Sequence, residues 1–123
     1  MRVAREEFER LVTEAVNGLP EEFAEHLDNV EFMVEDYPSR EDHAARGIEP
    51  GGLLLGVYHG VPLTERSVFA SGVLPDQITL FQRNIERISR SRREIVEQVR
   101  QTVLHEIAHH LGISDERLRE LGY

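Results

Sequence analysis

Histidine and glutamate recur at helical spacing in His105-Glu106-Ile107-Ala108-His109. On an α-helix, positions i and i+4 share a face, so both imidazoles aim at one point where a metal ion can be held. Glu106 then stands where it can act on a water bound to that ion. Gly112 falls three positions after His109 and Asp115 three after Gly112, so the whole reads H-E-x-x-H-x-x-G-x-x-D. A composition of 6 His and 18 Glu in 123 residues produces the short motif by chance about 0.04 times per chain, and the motif followed by Gly and then by Asp, Glu or His at these spacings about 0.0007 times.

The helix that must carry these residues runs from Ser91 or Arg92 to Leu111. With about 100° between successive residues, Ile95, Val96, Val99, Val103 and Ile107 gather on one side, widened by Leu104 and Leu111, which predicts the core face. His105 and His109 fall opposite, beside Gln98, Gln101 and Thr102, and so face a polar cleft. Gly112 ends the helix by reaching φ > 0 without a Cβ clash, and the turn can fold Asp115 back toward the two histidines. A competing reading makes Asp115 a first-turn acid that complements the dipole of the last helix, with Glu116 the substitute ligand. His110 points about 100° away from His109, which sets it off the metal and places it in the wall of the site or behind the ligands. His59 follows an apolar strand and can reach a cleft, whereas His26 and His43 lie in polar segments without a signal.

Upstream, Ala4, Phe8, Leu11, Val12 and Ala15 form one apolar helical stripe over 4–17, ended by Gly18-Leu19-Pro20, and a short helix follows over Glu21 to Leu27. Val30, Phe32 and Val34 alternate with Glu31, Met33 and Glu35, the period of a half-buried strand from Asn29 to Asp36. Ser39 to Gly52 reads as a polar connection. Leu53 to Tyr58 suits a strand buried on both faces, and His59-Gly60-Val61-Pro62-Leu63 turns the chain out of the sheet. A third strand over Gln77 to Phe81, a helix over Arg83 to Ser89, and a last helix from Asp115 to Leu121 capped by Ser114 complete the order. Early strands with helices on both sides predict a single α+β domain over residues 1–123.

Composition narrows the chemistry. Cysteine is absent, so a metal site must be built from imidazole and carboxylate, and thiol chemistry is excluded. A net charge of -9 disfavours nucleic acid as a partner. The charged start, Met1-Arg2-Val3-Ala4-Arg5-Glu6-Glu7, lacks the apolar stretch of a signal peptide, and no apolar run approaches the ~18 residues of a membrane span. The expectation is a cytoplasmic protein with no membrane partner. Arg83 to Arg100 holds six Arg against three Glu, which reads as a solvated face of Arg–Glu pairs in preference to an anion-binding patch.

The extended motif resembles the zincin metallopeptidases. Leu55-Gly56-Val57-Tyr58-His59-Gly60-Val61-Pro62-Leu63, Arg66-Ser67, Leu74 to Phe81 and Val99-Arg100-Gln101-Thr102-Val103 make the C-terminal half similar to a family of short bacterial metallopeptidase-like proteins with a minimal zincin fold. That resemblance implies a small mixed sheet packed on the motif helix, with zinc held by His105, His109 and Asp115 and Glu106 serving as general base and acid. The implied activity is hydrolysis of a peptide or protein substrate. Gln77 to Phe81 is the strand expected to add the substrate as a further strand, and Tyr58, His59 and Arg66 are candidates for stabilising the developing oxyanion. The alternative is a metal-binding interaction or regulatory module with little turnover, which the few residues after Asp115 and the lack of a methionine turn favour and Glu106 disfavours.

Overall fold

The computed structural model describes residues 1–42, 53–60 and 75–123. Helix α1 spans Arg5–Asn17 and buries Phe8, Leu11, Val12 and Ala15, the predicted stripe, with Glu6 and Glu7 in its first turn where the helix dipole favours acids. A short α2 (Glu21–Ala24) runs on into a 3₁₀ turn over Glu25–Leu27, and strand β1 (Val30–Glu35) follows. Along β1, half-buried Val30, Phe32 and Val34 alternate with exposed neighbours, as the period of two requires. Strands β2 (Gly56–His59) and β3 (Asp76–Phe81) precede α3 (Gln82–Arg87), the motif helix α4 (Arg92–His110) and α5 (Asp115–Glu120).

The strands form a mixed sheet in the order β1-β3-β2, with β1 parallel and β2 antiparallel to β3. Helices and a small mixed sheet give the α+β class expected from the sequence. The fold corrects one expectation. Gln77 to Phe81 belongs to the central strand, hydrogen-bonded on both sides, so it has no open edge to offer a peptide. The strand expected to be the more buried, Leu53 to Tyr58, instead yields the shorter β2 at the edge, with Leu53 exposed. Periodicity reports burial of faces and says nothing about lateral neighbours, which explains the exchange.

The motif helix is seated by two contacts. Its apolar side, Ile95, Val99, Val103, Leu104 and Ile107, is buried in one core with Phe8, Leu11, Phe23, Ile78, Leu80, Ile85 and Leu118. Leu111, expected to widen that side, is 40% exposed because the helix has already ended at His110. Its other contact is with β2 at Gly56. A Cβ there would lie 2.8 Å from Thr102 Cγ2 and 3.1 Å from the Thr79 carbonyl oxygen, so only glycine lets the sheet edge come this close to the helix.

A buried polar knot ties the N-terminal segment to α3. Glu86, 2% exposed, accepts from the Val3 amide at 2.9 Å, the Gln82 side-chain amide at 3.0 Å and Arg83 at 2.8 Å. Burial pushes its carboxyl up, but these donors together hold it below its ordinary range. Arg5 adds hydrogen bonds to Gln82 Oε1, the Val34 carbonyl and Asp36, linking α1 to β1 and α3. The arginine-rich span pairs as expected in part, Arg83 with Glu86, Arg92 with Glu7 and Arg100 with Glu97. No helix among the described residues is long and apolar enough to cross a membrane.

Candidate metal centre

Each element of the motif has a local cause. Ser91 caps the start of α4 by accepting from the Glu94 amide, and the Glu94 carboxylate accepts from the Arg90 amide just before the helix. At the other end Gly112 adopts φ 81°. Its amide donates to the His109 carbonyl at 3.0 Å and the Ile113 amide to the Ala108 carbonyl at 2.8 Å, the paired bonds of a Schellman turn. Ser114 then accepts from the Arg117 amide at 3.1 Å and starts α5, with Asp115 as its first residue. Buried Leu118 and the edge-on packing of Tyr123 against Phe23 dock this last helix on the body of the protein.

The reversal brings Asp115 over the motif helix. Asp115 Oδ1 lies 3.1 Å from His105 Nδ1 and 2.8 Å from His109 Nε2. One donor atom from each of the three residues falls within 4.8 Å of the others. The hydrogen bond with His109, helped by electrostatic interaction with both histidines and the bond to His105, holds the Asp115 carboxyl below its usual range against the opposing effect of desolvation. Glu116, the substitute considered from sequence, does not join the converging donors and is exposed.

These donors fit zinc. Tetrahedral zinc with bonds of ~2.0–2.2 Å to nitrogen and oxygen separates its ligand atoms by about 3.3 Å. The two separations to Asp115 Oδ1, 3.1 and 2.8 Å, lie within about half an ångström of that figure, and all three donor atoms are within 4.8 Å of one another. The two-imidazole, one-carboxylate donor set also matches the ligand types of catalytic zinc centres that keep a fourth position open. The side chains of His105, His109 and Asp115 are 37%, 34% and 54% exposed, so the centre opens to solvent.

Glu106 is buried at 5% exposure although it lies between two of the polar-facing residues. It borders concavities on both sides. One of about 300 Å³ runs under the β2 edge between Leu54, Gly56, Gln98 and Thr102 and also reaches His105 and His109. The other, about 220 Å³, is lined by Tyr58, Gly60, Glu106, His109 and His110. Gln98, Gln101, Thr102 and His105 on the predicted polar face of α4 thus line the first concavity, and Glu106 and His109 border both.

Of the oxyanion candidates, Tyr58 reaches the groove, but its hydroxyl donates to Asp76 Oδ2 at 2.7 Å. His59 is turned to Asp42, 3.6 Å away. Arg66, His43 and Val61-Pro62-Leu63 lie outside the described residues. His26 is exposed in the 3₁₀ turn. Sequence reasoning missed Asp76, because a lone aspartate at a strand start carries no periodic or motif signal. His110 stands in the wall, as expected, stacked on Tyr58 with ring centroids 4.1 Å apart and planes 18° from parallel.

A family model described as zincin-like metallopeptidase matches residues 27–123. No curated protein matches the chain significantly. Among solved structures, a conserved hypothetical protein from Thermus thermophilus is similar, with 28% sequence identity, a TM-score of 0.54, and coverage of 89% of this chain and 94% of that one.

Proposed function

This chain belongs to the zincin-like metallopeptidase family, and we propose that it is a zinc-dependent hydrolase of peptide bonds. The observation that carries the reading is the convergence of Asp115 on His105 and His109 beside buried Glu106. In this reading His105, His109 and Asp115 hold zinc, which when bound supplies Lewis acidity that acidifies water and polarises a carbonyl. Glu106 takes the proton of the attacking water and returns it to the departing amine, and its place on the shared border of both concavities suits a group that must reach either side of a scissile bond. The continuous core from Val3 to Leu118 supports treating residues 1–123 as one domain.

An extended peptide needs a strand edge beside the groove. With β3 paired on both sides, the strand that meets this requirement among the described residues is β2, held over α4 by the Gly56 contact. The substrate is accordingly a peptide or an unfolded stretch of protein, hydrogen-bonded to β2 and lying across the floor formed by Gln98, Thr102 and His105.

The exposure of the metal ligands favours a second reading, a metal-binding interaction module with little turnover. Substituting Glu106 separates the two. Glu106→Gln is expected to retain zinc and thermal stability while hydrolysis of peptide libraries falls by ~10² or more, the scale of general acid–base help. Equal cleavage by wild type and Glu106→Gln overturns the proposed role of Glu106. A zinc-loaded wild type that cleaves nothing across broad libraries places the interaction module first.

A further inference from the structure

On one side of Glu106 the groove ends in a wall that the metal motif does not account for. Tyr58 comes from β2, Asp76 from the start of β3 and His110 from the last turn of α4. Asp76, 9% exposed, accepts the Tyr58 hydroxyl at 2.7 Å, and the Tyr58 ring stacks on His110. Gly60 passes close to this pair, its Cβ position lying 3.5 Å from His110 Cε1 and 3.8 Å from Tyr58 Cε1. A histidine near the end of a helix, with a side chain 45% exposed, is thus held in one orientation. Its Nε2 is 3.9 Å from Asp76 Oδ2, too far for a direct hydrogen bond, so that contact does not use up a ring N–H. Ordering an exposed side chain costs rotamer freedom, and a ring fixed with a donor still available is what positioning a ligand requires.

We propose that His110, held by its stack on Tyr58, positions the substrate by donating a ring N–H to a backbone carbonyl of the peptide lying in the concavity beside Glu106 and His109. The proposal rests on the peptidase reading and names the residue that aligns the chain on that side of the scissile bond. Tyr58, anchored by Asp76, acts through His110 by fixing its ring.

Two ligands of the zinc-loaded full chain test this by calorimetry. Acetohydroxamate engages the metal alone, whereas a phosphinic pseudotripeptide also fills the groove. His110→Ala is expected to keep zinc and the acetohydroxamate affinity but to bind the pseudotripeptide about 5- to 10-fold more weakly, the scale of one hydrogen bond. His110→Gln, which retains an N–H donor, is expected to recover part of the loss. Should His110→Ala fail to fold, Tyr58→Leu removes the stack and is expected to weaken the pseudotripeptide in the same direction. Unchanged pseudotripeptide affinity in these variants overturns the proposal and leaves the peptidase reading standing. Loss of zinc, or equal weakening of both ligands, makes the role structural and also overturns it. A zinc-loaded wild type that binds acetohydroxamate but not the pseudotripeptide overturns the peptidase reading, and the role of His110 with it.

Discussion

Among single residues, the decisive side chain is Asp115, because it is exposed and remote from the core yet within 3.1 Å of both motif histidines. A metal ligand and a dipole-complementing acid respond differently to its loss. Asp115→Ala is expected to weaken zinc binding by more than about 100-fold, beyond the 10–100-fold scale of an outer partner, whereas removing a helix-end charge would cost only ~0.3–1 kcal/mol of stability. Glu116→Ala serves as the control and is expected to leave zinc affinity unchanged in the same equilibrium dialysis. The histidine pair is legible in the sequence because a helix converts a spacing of four directly into a shared face. The wall made by Tyr58, Asp76 and His110 is legible only in part: the helix wheel sets His110 apart from the motif face, but the meeting of Tyr58 with Asp76 depends on the pairing of β2 with β3, where Tyr58 lies opposite Ile78, and no local pattern encodes that register.

The elements explain why His105, His109 and Asp115 meet. Gly112 at φ 81° is what turns the chain from α4 into α5, and Gly112→Ala places a Cβ in a conformation that costs about 1–2 kcal/mol. Thermal unfolding of the variant is expected to show that loss, and zinc affinity should fall with it because Asp115 rides on the turn. Gly56 works by proximity. Gly56→Ala pushes the β2 edge away from Thr102 or forces Thr102 to move, at an overpacking cost of about 1–3 kcal/mol. Denaturant unfolding measures that cost, and unchanged stability would show that the strand-to-helix contact is slack. Helix ends are the most readable elements: Ser114, Gly112 and Gly18-Leu19-Pro20 each mark a boundary through their own backbone chemistry. The sheet is less so. The alternation in Val30–Glu35 predicts a half-buried strand correctly, but long-range pairing decides which strand lies in the middle, and for that reason Gln77 to Phe81 lies inside the sheet and not at the edge expected of it.

For the whole molecule, the Glu86 knot joins the N-terminal segment and α3 to the body that carries the motif helix. A buried carboxylate with three donors becomes costly when either side is removed, so Glu86→Ala is expected to lower stability by about 3 kcal/mol in denaturant unfolding. Because its folded-state carboxyl is held below the ordinary 4.5, its contribution is present above that value and is lost as pH falls through the folded-state value. Acid unfolding of wild type should therefore be steeper below about pH 4.5 than that of Glu86→Gln. The proposed site draws its three side chains from two helices, so a bound ion should lie between them, and anomalous X-ray scattering at the zinc edge from crystals of the zinc-loaded protein locates it. One strong peak bonded to His105, His109 and Asp115 is expected, with a position left open toward Glu106. An anomalous peak that lies elsewhere, or three residues that stay paired to one another with no metal between them, would contradict the assignment.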